Sequence, residues 1–302
     1  MVDILLAVYN GGEYLQKQLD SLLSQTLDDI CIIIGDDGSS DGSRDVLKSY
    51  EKEYPQKIRL YLNEKNIGVK ANFFKLLEMS KAEYIMFCDQ DDIWDSGKAE
   101  TTLDFFKQNE YGGPLLAHTD MRVIDSGDNM IADSFNKMQG IDPLKNGLNT
   151  LLVQNTVTGC TLMINRALAG LVAKPNCNTL HDWWLAVTAA VFGKIVYLPE
   201  TTMSYRRHSQ NVRGARDMSS IKYIFGRALN TKDAKNMLRL GYEQSAEFAA
   251  LYKDKLNKET YGILSAYGSC LKNGKLKRLK TIFKYKIFKQ GFVRIIGQLV
   301  YS

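Results

Sequence analysis

The sequence predicts an α/β fold, in which a mostly parallel mixed sheet is flanked by helices and followed by a C-terminal helical extension. Short, continuously apolar runs recur through residues 1–90, and a helical stripe of apolar positions separates each run from the next. Strands that alternate with helices are typical of βαβ units and of a parallel sheet. Beyond residue 217 the whole pattern is helical. We therefore expect an α/β domain over residues 1–214 and a basic, mainly helical region over residues 215–302.

Apolar periodicity places the individual elements. Strands are predicted at residues 4–8, 30–34, 58–62, 84–88, 114–119, 156–164 and 194–198. Helices are predicted at residues 14–23, 43–54, 70–80 and 182–192. A last helix is indicated by Phe292, Ile295, Ile296, Leu299 and Val300, which fall on one helical face. Residues 199–214 are expected to form a loop that begins at Pro199.

Composition and cysteine usage narrow the class of protein. With 45% hydrophobic and 24% charged residues, the 302-residue chain can bury a large core. Its five cysteines include no CxxC pair, which excludes a zinc ribbon and argues against a disulfide framework. No basic region precedes the first apolar strand, and no apolar run is long enough to span a bilayer. We therefore expect a cytoplasmic protein without a signal peptide or a transmembrane helix.

The net charge of +5 hides an asymmetry along the chain. Residues 1–212 hold 20 basic and 28 acidic residues, whereas residues 213–302 hold 19 basic and six acidic ones. Residues 272–302 contain nine basic residues and no acid. This pattern favours attachment of the tail to an anionic membrane surface. A solvated basic face packed on the body, or a homodimer surface, is the alternative. A nucleic-acid partner is not expected, because no nucleic-acid fold signature is present.

Polar clusters follow three of the predicted strands. They are Asn10, the pair Asp36 and Asp37, and the acidic run Asp89, Asp91 and Asp92. Ligands of open α/β sheets bind outside the carboxyl ends of the strands, so these clusters predict one binding crevice. Asp89 and Asp91 flank a single residue and can reach the same cation, and hard oxygen ligands suit Mg²⁺ or Mn²⁺. The alternative for the acidic run is a solvated turn that caps the next helix.

Two further motifs carry candidate chemistry. His208 follows Arg206 and Arg207; its imidazole can ligate Mn²⁺, and the arginines can hold a diphosphate. Asp182 opens a predicted helix beside Trp183 and Trp184, which is the pattern of a general base next to a sugar-stacking platform. A helix-capping aspartate on a buried aromatic helix is the alternative.

In order along the chain, these motifs resemble those of the family 2 glycosyltransferases of GT-A fold. The resemblance covers residues 1–214. It is carried by Val8-Tyr9-Asn10-Gly11, Gly35-Asp36-Asp37-Gly38-Ser39-Ser40-Asp41-Gly42, Asn66-Ile67-Gly68 and Cys88-Asp89-Gln90-Asp91-Asp92-Ile93-Trp94. A narrower similarity is to bacterial rhamnosyltransferases of cell-wall rhamnan synthesis. It is carried by Asp89-Gln90-Asp91-Asp92-Ile93-Trp94, Asn155-Thr156-Val157-Thr158-Gly159, His181-Asp182-Trp183 and Tyr205-Arg206-Arg207-His208-Ser209-Gln210-Asn211.

The resemblance implies a role for each matching residue. The reaction would be an inverting, metal-dependent transfer of a sugar from a nucleoside diphosphate, with Asp182 as the catalytic base. The implied donor-binding residues are Ala7, Tyr9, Asn10, Asp37, Asn66, Asp89 and Arg206. Asp91 and His208 would hold Mn²⁺ or Mg²⁺. Trp183, Trp184 and Thr158 are the acceptor-side candidates. One departure is His181, since many relatives have an acidic residue before the base.

We expect L-rhamnose to be transferred from dTDP-rhamnose to a lipid-linked saccharide in bacterial surface polysaccharide synthesis. The enzyme would act at the inner face of the plasma membrane as a peripheral protein. The near alternative is a UDP-hexose donor. Alternatives of another class are a sugar nucleotidyltransferase and a non-catalytic, membrane-docked scaffold. Against the nucleotidyltransferase, the loop after the first strand contains Glu13 and lacks a basic, glycine-rich phosphate loop.

Overall fold

The computed structural model describes residues 1–208 and 231–302. Three expectations lie outside these residues. The first is the domain boundary near residue 214. The second is the last part of the loop expected over residues 199–214, which includes the motif residues Ser209, Gln210 and Asn211. The third is the helical pattern between residues 217 and 230.

In the described part of the chain, nine strands form a single mixed sheet. They are β1 (Val2–Val8), β2 (Ile30–Asp36), β3 (Ile58–Leu62), β4 (Tyr84–Cys88), β5 (Ile93–Trp94), β6 (Leu115–Ile124), β7 (Met130–Ala132), β8 (Leu162–Asn165) and β9 (Lys194–Arg206). Their order is β3-β2-β1-β4-β8-β6-β9-β5, and β7 pairs with β6. The sequence therefore predicted the class of fold correctly.

The first half of the sheet is parallel. Strand β1 lies between β2 and β4, and β2 pairs with β3. All residues of β1 and β2 are buried, which explains their continuously apolar sequences. The register sets Val8 beside Asp36 and Leu6 beside Cys88. The polar residues that follow these three strands consequently emerge at the same edge.

The second half of the sheet is mixed. Strand β8 runs antiparallel to β4 and β6, β9 runs parallel to β6, and β5 runs antiparallel to β9. The strand predicted over residues 156–164 is wrong in its first part, because Gly159–Thr161 forms a 3₁₀ turn before β8 begins. Strand β5 was not predicted, because two residues carry no periodic signal.

Strand β9 is longer than the sequence predicts and continues through Pro199 to Arg206. Its register against β6 shifts at this point: His118 lies opposite Tyr197, but Asp120 lies opposite Thr201. Proline has no backbone N–H to donate, and such an irregularity lets a strand accommodate it. The loop expected from Pro199 is therefore wrong as far as Arg206.

Twelve helices accompany the sheet in the described ranges. They are α1 (Leu15–Leu23), α2 (Ser43–Glu53), α3 (Val69–Met79), α4 (Lys98–Gln108), α5 (Phe135–Gln139), α6 (Leu148–Leu151), α7 (Arg166–Ala169), α8 (His181–Phe192), α9 (Thr231–Leu251), α10 (Lys258–Gly268), α11 (Lys275–Lys284) and α12 (Phe292–Tyr301). Across residues 1–208 and 231–302, none of these helices combines the length and apolar character needed to cross a bilayer.

The described residues pack into two compact units. The sheet unit contains Met1–Phe135, Thr158–Leu171 and residues 192–208. The helical unit contains Asn136–Val157, Val172–Val191 and residues 231–302. The C-terminal helices therefore share a unit with two earlier segments, and one of these carries most of α8.

Contacts inside the helical unit explain why the segment before α8 belongs with α9. Glu247 accepts hydrogen bonds from the backbone N–H groups of Asn176 and Cys177, at 2.5 and 2.7 Å. Gln244, one turn earlier on α9, accepts a hydrogen bond from the hydroxyl of Thr179. Together these side chains of α9 fix the backbone that leads into α8.

Candidate functional site

The loops that follow β1 and β2 are held together by Asn10. Its backbone N–H donates to Ser39 Oγ, and its side-chain oxygen accepts from the N–H of Ser40, both at 2.9 Å. Asn10 has φ of 50°, in the left-handed region, which asparagine tolerates better than most residues. Ala7, near the end of β1, is buried and lies opposite Gly35. The expectation that Asn10 and Ala7 bind the nucleoside of the donor stays a prediction.

Asp37 is buried and organises the next loop. Its carboxylate accepts hydrogen bonds from the side chain of Asn63 at 3.0 Å and from the N–H groups of Ile67 and Gly68 at 2.8 Å. Asn66 Oδ1 also accepts from the N–H of Gly68, at 2.9 Å. An ionised carboxylate offers about four acceptor positions, so three donors leave one for a ligand.

Gly38 allows the loop after β2 to approach the backbone of residues 65–66 closely. Its φ is +85°, and a Cβ atom there would lie 3.0 Å from the backbone nitrogen of Asn66. Any other residue would thus strain the backbone and crowd residues 65–66. The glycine of the Asp36-Asp37-Gly38-Ser39 motif is therefore explained by the geometry that Asp37 needs.

Gln90 links the acidic loop after β4 to the loop after β1. Its Oε1 accepts the backbone N–H of Tyr9 at 2.6 Å, and its Nε2 donates to the Tyr9 carbonyl at 3.0 Å. The Tyr9 side chain itself is exposed. Sequence reasoning did not assign a role to Gln90, although its place between Asp89 and Asp91 marked it.

Asp91 and His208 meet although 117 positions separate them in the chain. His208 Nε2 lies 2.7 Å from Asp91 Oδ2, and the two side chains are only 11% and 13% exposed. The short strand β5 accounts for this contact, because Ile93 pairs with Ser204 of β9 and brings the two segments side by side. The Tyr14 ring lies 5.1 Å from the imidazole. The structure thus brings together the two residues expected to bind a metal.

Arg206 is held by other groups of the protein. Its side chain is fully buried. Its guanidinium donates to the carbonyls of Asp91 and Asp125, forms an ion pair with Asp128, and stacks 4.6 Å from the Tyr14 ring. The expectation that Arg206 contacts the donor diphosphate is therefore not met, because protein groups surround its charge. Arg206 instead holds the acidic loop in place.

Asp92 is the most buried of the three acids. Its Oδ1 accepts the backbone N–H of Arg206 at 3.1 Å, which ties the acidic loop to the end of β9. Burial, reinforced by the charges of Asp91 and Asp89, raises the pKa of Asp92 well above its usual value. Its environment therefore favours the protonated form of Asp92 more than water does.

A second cluster of possible ligand atoms lies beside this acid. One atom each of Asp89, Asp92 and Cys160 lie within 4.8 Å of one another. Burial also raises the pKa of the Cys160 thiol well above its usual value. Since metal ligands must be deprotonated, this cluster fits a cation less well than Asp91 and His208.

Asp91 and His208 fit a divalent cation. Asp91 offers a carboxylate oxygen and His208 an imidazole nitrogen. Mn²⁺ accepts both kinds of ligand, whereas Mg²⁺ prefers the carboxylate oxygen. Both side chains are partly exposed, so a ligand that carries phosphate oxygens can complete the coordination.

Thr158 belongs to the same unit and is half-buried. Its carbonyl accepts the N–H of Thr161 at 3.0 Å and the Thr161 hydroxyl at 2.8 Å. These bonds close the 3₁₀ turn that places Cys160 beside Asp92. The backbone of Thr158 thus has a structural function, and its side chain stays an acceptor-side prediction.

The helical unit carries Asp182 in the first turn of α8. Its Oδ1 accepts the backbone N–H of Trp183 at 2.6 Å, and its side chain is partly exposed. The preceding His181 is buried, and burial lowers its pKa to about 3. The imidazole next to Asp182 is therefore neutral at physiological pH.

Trp183 and Trp184 do not form a platform for a sugar. Both side chains are completely buried. The indole N–H of Trp183 donates to the carbonyl of Leu151, and the Trp184 ring packs 5.1 Å from the Phe248 ring. The expectation of stacking is wrong for this structure because both rings belong to the core. Helix α8 is the buried aromatic helix that the alternative interpretation described.

The fold and the acidic edge of its sheet define a class of proteins. The sequence model of glycosyl transferase family 2 matches residues 3–169, which are more than half of the chain. The chain belongs to glycosyl transferase family 2, as the motifs predicted.

Several relatives share this family resemblance. An uncharacterized protein of Mycobacterium tuberculosis is 31% identical over 209 residues, which cover 68% of this chain and 58% of that protein. The chain thus spans less than two thirds of that relative. TuaG of Bacillus subtilis, named for teichuronic acid biosynthesis, is 30% identical over 62% of this chain and 71% of its own. The dTDP-rhamnosyl transferase RfbG of Shigella flexneri is 28% identical over 72% of this chain and 76% of its own.

Solved structures confirm the GT-A fold. Residues 1–349 of TarS from S. aureus, in complex with UDP-GlcNAc, align with a TM-score of 0.58 at 14% identity, over 94% of this chain and 80% of that one. The mannosyltransferase PcManGT from Pyrobaculum calidifontis, in complex with GDP-Man and Mn²⁺, aligns with a TM-score of 0.54 at 13% identity, over 99% and 86%.

Proposed function

We propose that the protein is an inverting, metal-dependent glycosyltransferase that moves a sugar from a nucleoside diphosphate to a hydroxyl acceptor. The observation that carries the proposal is the 2.7 Å contact between Asp91 and His208 at the edge where the β1, β2 and β4 loops meet. Membership of glycosyl transferase family 2 supports the same reaction. A glycosidase would instead need two carboxyl groups flanking the scissile bond.

The nucleoside would bind to the loops after β1 and β2. Asp37 has one acceptor position left and can take the N3–H of a pyrimidine base. The backbone from Ala7 to Tyr9, with Asn10 and Asn66, would line the rest of this site. Uracil and thymine both offer an N3–H group, so Asp37 by itself favours neither UDP nor dTDP donors.

The diphosphate and the transferred sugar would lie beside the acidic loop. Asp91 and His208 would hold Mn²⁺ or Mg²⁺, and Asp89 would face the ribose or the sugar. When bound, the cation would supply positive charge that stabilises the leaving diphosphate. Arg206 and Asp92 would keep Asp91 and His208 in place.

Deprotonation of the acceptor would fall to Asp182. Inversion needs one base that takes the acceptor proton as the new bond forms. Asp182 is partly exposed, and the neighbouring imidazole of His181 is neutral because burial lowers its pKa to about 3. Thr158 stays a candidate for contact with the acceptor.

Relatives support a choice of donor and acceptor. RfbG is named a dTDP-rhamnosyl transferase, which favours dTDP-rhamnose, whereas the TarS complex with UDP-GlcNAc keeps a UDP-hexose open. The name of TuaG supports an acceptor in cell-surface polysaccharide synthesis. We propose a lipid-linked saccharide as the acceptor, at the inner face of the plasma membrane.

Release of nucleoside diphosphate from a panel of nucleotide sugars tests this function, with Mn²⁺, Mg²⁺ or EDTA present. We expect metal-dependent release that Asp91→Asn and His208→Gln each reduce more than tenfold and that Asp182→Asn abolishes with acceptor present. Asp104→Asn, on the exposed face of α4, is the matched control. In a parallel assay with a nucleoside triphosphate and a sugar phosphate, release of pyrophosphate would indicate a nucleotidyltransferase. Full complementation in cells by Asp182→Asn would indicate a scaffold.

A further inference from the structure

Helix α12 exposes four of its apolar residues and buries a polar one. Phe292 is 77% exposed and Val300 52%, and Val293 and Ile296 are also exposed. These four positions follow i, i+1, i+4 and i+8 and therefore share one face of the helix. The residue that α12 buries is Gln298. Ile295 and Leu299 are half-buried, so the protein covers only one side of the apolar stripe of α12.

Gln298 is buried because it ties α12 to the segment after α11. Its Nε2 donates to the carbonyl of Ile287 at 2.7 Å, and its Oε1 accepts the N–H of Lys289 at 2.9 Å. Lys275, at the start of α11, donates to the carbonyl of Val300 at 2.8 Å. Residues 272–302 thus form one fixed unit, here called the C-terminal hairpin.

The other helix of the C-terminal hairpin is exposed in the same way. On α11, Leu276 is 86% exposed, and Phe283, two turns later on the same face, is also exposed. Six exposed lysines lie in the same segment as these apolar side chains. They are Lys272, Lys275, Lys277, Lys280, Lys284 and Lys286. The absence of any acidic residue from residues 272–302 leaves this positive charge uncompensated within the hairpin.

We propose that the C-terminal hairpin docks the protein on an anionic lipid bilayer. The exposed side chains of Phe292, Ile296 and Val300 would enter the boundary between headgroups and acyl chains, and the lysines would contact lipid phosphates. A protein partner would be expected to meet this charge with acids of its own, whereas a second copy of this hairpin brings the same positive charge. This docking rests on the proposed function, which requires a membrane-facing surface, and it is independent of the donor site.

Flotation of the full chain with vesicles tests this docking directly, without nucleotide or acceptor. We expect binding to vesicles that contain phosphatidylglycerol, weak binding to pure phosphatidylcholine, and loss of binding at high salt. The double variant Phe292→Ser, Ile296→Ser should lower the partition coefficient at least about tenfold. Met130→Ser with Leu144→Ser removes two exposed apolar residues elsewhere and is the matched control.

A charge variant keeps the test informative if the apolar variant misfolds. Lys280→Gln with Lys284→Gln should weaken binding about tenfold or more at low salt, since each basic residue near an anionic surface changes partition about fivefold. Lys48→Gln with Lys52→Gln, on the exposed face of α2, should change nothing.

Two results would overturn the proposal. The first is a failure of the unaltered protein to bind vesicles, or vesicle binding that is the same in the unaltered protein and in the hairpin variants. The other is a dimer in sedimentation that Phe292→Ser, Ile296→Ser converts to a monomer while vesicle binding persists, which would make the hairpin a contact between copies. Donor turnover, assayed separately without vesicles, should be the same in all hairpin variants, so failure of docking and failure of the proposed function remain distinguishable.

Discussion

The side-chain amide of Gln90 bonds to both polar backbone atoms of Tyr9, accepting at 2.6 Å and donating at 3.0 Å. Strands β1 and β4 are parallel neighbours whose register ends with Leu6 beside Cys88. Gln90 therefore continues the pairing beyond the ends of the strands, with a side chain in place of a backbone. The loop proposed to bind the nucleoside and the loop proposed to bind the cation are fixed to each other by this one amide.

Replacing Gln90 should loosen the donor site without unfolding the protein. Gln90→Leu removes both bonds, each worth about 1 kcal/mol at a partly exposed site, and we expect the Kd for nucleoside diphosphate to rise about tenfold or more. Calorimetric titration in the presence of Mn²⁺ measures this. Gln108→Leu, on the exposed end of α4, is the control. An unchanged Kd in Gln90→Leu would mean that the two loops keep their positions independently.

The neighbouring acids Asp91 and Asp92 should differ in the property that substitution changes, which is metal binding for Asp91 and stability for Asp92. Because its environment favours the protonated form of Asp92 more than water does, Asp92→Asn keeps the acceptor for the Arg206 N–H and should cost less than about 1 kcal/mol of stability. Asp92→Ala leaves that N–H unpaired and should cost about 1–3 kcal/mol. Urea denaturation compares the two variants, and equal losses would contradict the assignment. Asp91→Asn should leave stability intact but weaken Mn²⁺ binding.

Stability should fall in acid because His118 is buried in β6. Burial lowers the pKa of His118 to about 3, so the folded protein keeps this imidazole neutral between pH 3 and 6.5, where the unfolded chain protonates it. The contribution of His118 is complete above pH 6.5 and declines below it, by up to about 1.4 kcal/mol per pH unit. The free energy of unfolding of the unaltered protein, measured relative to that of the His118→Gln variant, should therefore fall from pH 7 to pH 5. A difference independent of pH would refute this.

Glu247 should control the order of the segment before α8. Burial tends to raise its pKa, but the hydrogen bonds from Asn176 and Cys177 outweigh burial and lower it. Glu247→Gln keeps only one of the two accepting oxygens. We therefore expect the free energy of unfolding to fall by about 1–2 kcal/mol and hydrogen exchange over residues 173–180 to become faster. Glu243→Gln, which breaks a surface ion pair with Arg239 one turn earlier, should leave that exchange unchanged. Equal exchange in the two variants would exclude this role.

Sequence periodicity predicted the parallel half of the sheet because its strands are buried on both faces and separated by amphipathic helices. It failed where tertiary pairing decides the structure. Strand β5 is two residues long, and β9 passes a proline that normally ends a strand, yet their pairing is what brings His208 to Asp91.

Burial was the second property that the sequence did not reveal. The pattern His181-Asp182-Trp183-Trp184 is compatible with an open platform and with a core helix, and only packing against Leu151 and Phe248 decides for the core. Arg206 is similar, because its partner Asp128 lies in a turn with no motif of its own. Residues that act through long-range contacts leave no local signal.

The two compact units are interleaved along the chain, and this limits how either unit could be exchanged by recombination. Residues 192–208, which supply β9 to the sheet unit, come after α8, and the helical unit draws on three separate segments. A single recombination event between related genes cannot exchange either unit intact. Divergence of either unit is therefore expected to accumulate by point substitution rather than by shuffling of modules.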